Sequence, residues 1–332
     1  MKHLVALLNS HIEGDDERFL SVALQVAATE AREGRTEEAE RLRDLVQKAR
    51  DQRRNRPVTA QQTPIPLARP KGELSALVGS AYPKIRLADM VLAEGIAKRL
   101  KRVIREQQMR AKLRDNGRIP TTHMLLAGLP GTGKTMTASA LAGELHLPLF
   151  TVNLDALFSK FLGETAGKLR LLFDQIAQVR GVYLLDEFDA IGSSRSATND
   201  IGEIRRILNS VLVYMEEPNA TDSLVIAASN HAELLDGALA RRFDEVVMYD
   251  LPDAEAAKAV LTRRLGHFKL TARAWTGITK HTEGLSQAEL TRAADVVVKA
   301  AILDGASKIS AASLKDALED RRAFRSRFIR KR

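Results

Sequence analysis

Gly128-Leu129-Pro130-Gly131-Thr132-Gly133-Lys134-Thr135 is the stretch on which the reading of this chain turns. Its three glycines tolerate positive φ and carry no Cβ, so successive backbone N–H groups can turn inward around a polyphosphate. Lys134 supplies a mobile cation for the β- and γ-phosphates, and the Thr135 hydroxyl a ligand for Mg²⁺. Met124-Leu125-Leu126-Ala127 before the loop reads as a buried strand, and Met136 to Leu145 after it as a helix. Strand, loop and helix in that order are the context such a loop requires. About fifty residues later the apolar run Val182-Tyr183-Leu184-Leu185 ends in Asp186-Glu187. A continuous apolar run predicts a parallel strand covered on both faces, and acids at its C-terminal end emerge where ligands bind in open α/β sheets. Asp186 is suited to hold hydrated Mg²⁺, and Glu187 to orient and deprotonate an attacking water, because phosphoryl transfer needs mainly positioning and charge stabilisation. The two motifs together imply an ATPase with ATP and Mg²⁺ as cofactors. The phosphate loop alone would also admit kinases, GTPases, helicases and transporters.

The remaining composition sets bounds. At 332 residues the chain can hold two or three units with cores of their own. Apolar residues at 45% and charged residues at 28% describe a soluble globular protein. No apolar run approaches the length that spans a bilayer, and the start, MKHLVALLNSHIEGDD, lacks the pattern of a signal peptide. The absence of cysteine excludes disulfides, thiolate zinc sites and cysteine nucleophiles; a cytoplasmic location fits. The net charge of +9 is uneven, with a basic-rich stretch from Lys98 to Arg118 and seven basic residues and no acid from Arg321 to Arg332. Such blocks attract nucleic acid or acidic partners, or form solvated faces.

Along the chain, residues 1–56 carry only helical periodicity and predict a helical hairpin that docks a partner or substrate, or else packs on the body. Residues 57–76 begin with a proline-rich linker, PVTAQQTPIPLARP. From 77 to 251 helix and strand signals alternate, which predicts an α/β domain with a mostly parallel sheet and helices on both faces. Strands are expected at 124–127, 149–153, 182–186, 224–229 and 246–249. Residues 252–332 read as a smaller helical domain ending in the basic tail.

Four further stretches bear a family resemblance. Ile226-Ala227-Ala228-Ser229-Asn230 is similar to the sensor-1 strand of AAA+ ATPases, whose amide, here Asn230, helps hold the attacking water. LLDGALARRFDEVV at 234–247 resembles the second region of homology of the AAA branch, with Arg241 and Arg242 at the arginine-finger positions, adjacent as in the katanin and spastin group. Ser159-Lys160-Phe161-Leu162-Gly163-Glu164 resembles the first pore loop of protein-remodelling members, in which an aromatic on a glycine hinge grips any passing side chain; Arg195 falls near the second pore loop. Gly284-Leu285-Ser286-Gln287-Ala288-Glu289-Leu290 resembles the GxSGAD stretch of the lid, with Gln287 in place of glycine and Glu289 in place of aspartate. Through that stretch the resemblance assigns Gly284 and Ala288 to nucleotide contact. It also matches Asn153 to a polar residue that can restrain the catalytic glutamate, and Met90 and Val91 to the segment that packs on adenine, although Leu87 to Val91 departs from the usual D-[VI]-x-G form.

The resemblance covers about 84–316. It implies a ring, a hexamer in the family, in which an arginine from one subunit completes the next subunit's site, and it implies threading or remodelling of protein substrates. AAA proteins of this size with a helical N-terminal region also resemble the ATPase halves of bacterial pairs with a subtilisin-like protease in plasmid maintenance or phage defence. The chain itself shows neither an HExxH pair nor a GxSxG elbow. The alternative reading is a nucleic-acid-directed AAA+ ATPase, a transposition or replication accessory, working through the basic segments; no helix-turn-helix or zinc-finger pattern supports it.

Overall fold

The computed structural model describes residues 74–157, 162–189, 219–231, 240–268 and 270–328, with Pro70, Gly72, most of 210–217 and five positions nearer the start. The chain divides into two compact units, Met1–Ile65 and Pro66–Arg332. In the first, Val26, Ala27, Glu40, Asp44 and Val46 are helical, with Ala27 and Val46 buried. The rest of the expected hairpin over 1–56 lies outside the described residues, as does most of the linker.

The second unit is built on a six-stranded sheet ordered β1-β3-β4-β5-β2-β6. Its strands are β1 (Val78–Ala81), β2 (His123–Gly128), β3 (Leu149–Val152), β4 (Val182–Leu185), β5 (Leu224–Ser229) and β6 (Glu245–Tyr249). β1 pairs antiparallel with β3, and every other pairing is parallel. The period of two along each strand feeds two cores. Leu125 and Ala127 of β2, Tyr183 and Leu185 of β4, and Val225 and Ala227 of β5 enter one cluster. Met124 and Leu126, Val182 and Leu184, and Leu224, Ile226 and Ala228 enter the other. A sheet apolar on both faces must be covered on both. Helix α2 (Glu94–Gln108) and α4 (Lys134–Leu145) supply Leu100, Val103, Ala138 and Leu141 to the second cluster, and α6 (Leu162–Gln178) supplies Leu169, Leu172 and Ile176 to the first.

The five expected strands are present with ends shifted by one residue or none, and β1 is an addition. Only Val78 of its four residues is buried, so Val-Gly-Ser-Ala at a sheet edge carries no apolar alternation to read. Shorter helices α1 (Leu74–Leu77), α3 (Arg110–Asp115) and α5 (Leu154–Leu157) fill connections. Beyond β6 the described elements are all helical: α7 (Ala254–Leu265), α8 (Ala272–Thr282), α9 (Gln287–Leu303) and α10 (Ala311–Phe328) enclose a third core around Leu261, Trp275, Leu290 and Leu314. These four helices form the lid.

Candidate functional site

The loop between β2 and α4 takes its shape from close backbone approaches. Gly128 has φ +147°, and a Cβ there would fall 2.1 Å from the Tyr249 carbonyl oxygen at the end of β6, so only glycine lets the chain leave the sheet at this point. The Thr132 hydroxyl donates to the Leu129 carbonyl at 2.8 Å and ties the loop to itself. Lys134 opens α4 with its Nζ donating to the carbonyls of Gly128 at 2.7 Å and Leu129 at 2.9 Å. Burial lowers its pKa, while Asp186 and Asp189 act to raise it. The next residue, Thr135, donates its hydroxyl to Asp186 Oδ2 at 2.8 Å.

Asp186 and Glu187 begin the turn after β4. Glu187 has φ +54°, a left-handed conformation that costs a residue with a Cβ of order 1–2 kcal/mol. The turn is held from both sides: the Glu187 N–H donates to Asp186 Oδ1 at 3.0 Å, and the Phe188 N–H to the Ala228 carbonyl at 2.8 Å. Asp189 Oδ1 accepts the Asn230 N–H at 3.0 Å. The acidic turn is thereby stitched to the end of β5, which brings Asn230 beside Glu187 on the wall of one cleft.

That cleft measures about 680 Å³, within the range of small-molecule and cofactor sites. Pro130, Gly131 and Gly133 to Met136 form its floor, Asp89 to Val91 one wall, and lid residues of α7 and α9 the other. The donor set fits a nucleoside triphosphate with Mg²⁺. The oxygen ligands a hard cation prefers come together at Thr135 and Asp186, and Lys134 with the loop amides provides the positive lining for phosphates.

The lid rests directly on the loop. Ser286 caps α9 in a reciprocal capping box with Glu289. The Ala288 N–H donates to the Gly131 carbonyl at 3.0 Å, and a Cβ on Gly131 would lie 2.7 Å from Ser286 Oγ. Gly131 is therefore required at this contact as well as by its φ of +78°. Glu289 Oε2 accepts from the Ser286 N–H at 2.7 Å, the Ser286 hydroxyl at 2.8 Å and Arg325 Nη1 at 3.2 Å. Arg325 comes from α10 and also donates to the Gly284 carbonyl. Ala288 lines the cleft and Gly284 does not; Met90 and Val91 do.

Sequence reasoning missed Asp89, Arg263, Arg264, Thr291 and Arg292, which also line the cleft. Thr291 and Arg292 follow Gln287 and Ala288 by one turn of α9, so helical spacing from those two residues was the available signal. Arg263 donates to the Ala88 carbonyl and Arg264 pairs with Asp295.

Other expected residues lie elsewhere. Asn153 does not line the cleft; its side-chain oxygen accepts the Ala156 N–H at 3.3 Å at the start of α5, and its own N–H donates to the Leu77 carbonyl. Arg241 and Arg242 are exposed in the turn before β6 and also stay out of the cleft, with Arg242 paired to Glu216. That turn is anchored below. Asp244 Oδ2 accepts the N–H groups of Thr122 at 2.8 Å and His123 at 3.0 Å, and the buried Glu245 is held by Arg99 and Arg102. Lys160, Phe161 and Arg195 lie outside the described residues, while Leu162 and Gly163 open α6.

Comparison with known proteins shows which family the chain resembles. The profile of the ATPase family associated with various cellular activities (AAA) matches residues 124–251. A Sinorhizobium fredii protein named as an uncharacterized AAA family ATPase, y4kL, is 32% identical over 320 residues, covering 95% of this chain and 94% of that protein. An ATP-dependent zinc metalloprotease FtsH of a Sulfurovum species is 33% identical over 256 residues, 75% of this chain, which spans 38% of that protein. The crystal structure of the FIGL-1 AAA domain superposes with a TM-score of 0.60 at 23% identity, covering 77% of this chain and 93% of that one, a likeness of fold.

Proposed function

The chain belongs to the AAA family of ATPases, and from that premise we propose that it works as a ring oligomer, a hexamer as in the family resemblance, whose ATP hydrolysis remodels or threads protein substrates. The observation that carries the chemistry is the convergence of Lys134, the Thr135–Asp186 pair, Glu187 and Asn230 on one cleft. In this reading the loop amides and Lys134 bind the polyphosphate, and Thr135 and Asp186 hold Mg²⁺. When bound, the cation neutralises charge on the β- and γ-phosphate oxygens. Asn230 and the Glu187 carboxylate orient the attacking water, and Glu187 takes its proton. Arg241 and Arg242 suit a site shared between subunits, because they are exposed and stay out of their own chain's cleft. From a neighbour they would stabilise charge on the transferring phosphoryl group.

Protein is favoured over nucleic acid as the substrate by how the basic stretch is used. Arg99 and Arg102 share Glu245, and Arg110 and Arg114 share Asp222, so four of the nine basic residues from Lys98 to Arg118 are engaged within the fold and two carboxylates offset part of their charge. Relatives named as ATP-dependent metalloproteases support work on polypeptides. A partner enzyme of the subtilisin-like protease kind, in plasmid maintenance or phage defence, is the finer form of this reading. Among the described residues no helix is long and apolar enough to cross a membrane.

The test is ATP hydrolysis by the purified chain with added unfolded polypeptide, single-stranded DNA or double-stranded DNA. Polypeptide should stimulate turnover several-fold, and Phe161→Ala should keep the basal rate while losing that stimulation. Stimulation by DNA alone would replace the protein-remodelling reading with the nucleic-acid one.

A further inference from the structure

Gln287, the first residue of α9, reaches across the cleft and donates Nε2 to the Val91 carbonyl at 2.9 Å. This bond lies on a seam, since the Val91 side chain packs against the lid core while Met90 belongs to the core of the α/β body. The cleft has polar lining from Lys134, Thr135 and Asp186 and apolar lining from Met90, Val91, Met136 and Val260. Charge sends a polyphosphate to the first, which leaves the second to bury a nucleobase.

A carboxamide carries both an acceptor and a donor. Turning freely, it offers oxygen to an amine or nitrogen to a keto group equally well and selects nothing. Gln287 is not free to turn: exchanging its amide ends would set Oε1 against the Val91 carbonyl oxygen, acceptor against acceptor. Oε1 is thereby directed to the cleft floor beside Met90: a Cβ built on Gly133 would lie 3.6 Å from Oε1 and 3.5 Å from Met90 Cε.

We propose that Gln287 selects the base, presenting a fixed acceptor to the exocyclic amine of adenine and opposing the keto oxygen of hypoxanthine or guanine. This rests on the nucleotide reading of the cleft. A site built to bond an N–H rejects an analogue that lacks it because a polar group is left unpaired, and a single such bond is worth about a tenfold preference.

The test is equilibrium binding of ADP, IDP, N6,N6-dimethyl-ADP and 2′-deoxy-ADP to the full chain and to Gln287→Leu. Wild type should bind ADP about tenfold more tightly than IDP or the dimethyl analogue, and the variant should reduce both preferences to about twofold. The wild-type comparison stands even where the variant folds poorly: a preference below about twofold overturns the proposal. Equal weakening of ADP and IDP in the variant, with the ratio kept, would make Gln287 a tether between lid and body and also overturn it. A change confined to the ribose-to-deoxyribose ratio would assign Oε1 to the sugar instead, and the base assignment fails. Absence of ADP binding by wild type would remove the nucleotide reading itself, a failure distinct from unchanged selectivity.

Discussion

Glu187 occupies a backbone conformation, φ +54°, that glycine or asparagine would adopt at less cost. The flanking bonds from Phe188 to Ala228 and from Asn230 to Asp189 hold the turn and impose that conformation on whatever side chain stands there. Strain that the surroundings over-determine is found at sites where one particular side chain must be delivered to one place. Two substitutions separate strain from chemistry. Glu187→Gln keeps the shape and removes the base, so nucleotide binding should persist while turnover falls by about 10²- to 10⁴-fold. Glu187→Gly should be equally inactive yet more resistant to unfolding than Glu187→Gln by about 1 kcal/mol in a urea titration, since it relieves the positive φ. Equal stability of the two would mean that the turn carries no such strain.

At the scale of elements, the start of α9 joins the lid to the phosphate loop, and it is tied to a residue far away in sequence. One carboxylate oxygen of Glu289 gathers both the Ser286 cap and Arg325 of α10. Arg325 does little for α9 as a helix, because a cation near a helix N-terminus opposes the macrodipole. Its contribution is to fix the Ser286 cap and the Gly284 carbonyl, and through Ser286 and Ala288 the loop at Gly131. Arg325→Ala should therefore raise the KM for ATP about fivefold and leave kcat at saturation nearly unchanged, with partial recovery in Arg325→Lys. A fall in kcat with KM unchanged would place Arg325 in the chemistry and not in the positioning of the lid. Elements of this kind divide what the sequence could disclose from what it could not. The phosphate loop, β2, β4 and β5 were legible because each is a local pattern: glycines at fixed spacing, or apolar runs too continuous for a half-exposed strand. Edge strand β1, with one buried residue, offered no pattern. The contacts of Gln287 with Val91, Arg263 with Ala88 and Arg325 with Glu289 join segments that meet only through tertiary packing. The sequence could show that position 287 departs from the family's glycine; what the glutamine touches required the fold.

At the scale of the whole molecule, the exposed turn at Arg241 and Arg242 is the feature that a single chain leaves without chemical use. Its base is firm, with Asp244 capping the start of β2 and Glu245 buried between Arg99 and Arg102, whereas its two arginines face outward and Arg242 meets Glu216 of its own chain. In a head-to-tail ring the surface carrying this turn would meet a different surface of the next subunit. If that surface is the cleft, assembly transfers the guanidinium from Glu216 to a phosphate. Lys134→Ala removes the phosphate anchor of its own site while leaving the arginine turn intact; the double change Arg241→Ala, Arg242→Ala does the reverse. Each protein alone should hydrolyse ATP at a small fraction of the wild-type rate. In an equal mixture, about a quarter of the junctions pair an intact cleft with an intact arginine turn under random assembly, so activity should recover toward about a quarter of wild type. Recovery must also depend on protein concentration, because it requires the two chains to meet. If the mixture shows only the average of its two inactive parents at concentrations where wild type is active, the arginines act within their own chain or not at all, and the shared-site reading fails while the ATP site itself stands.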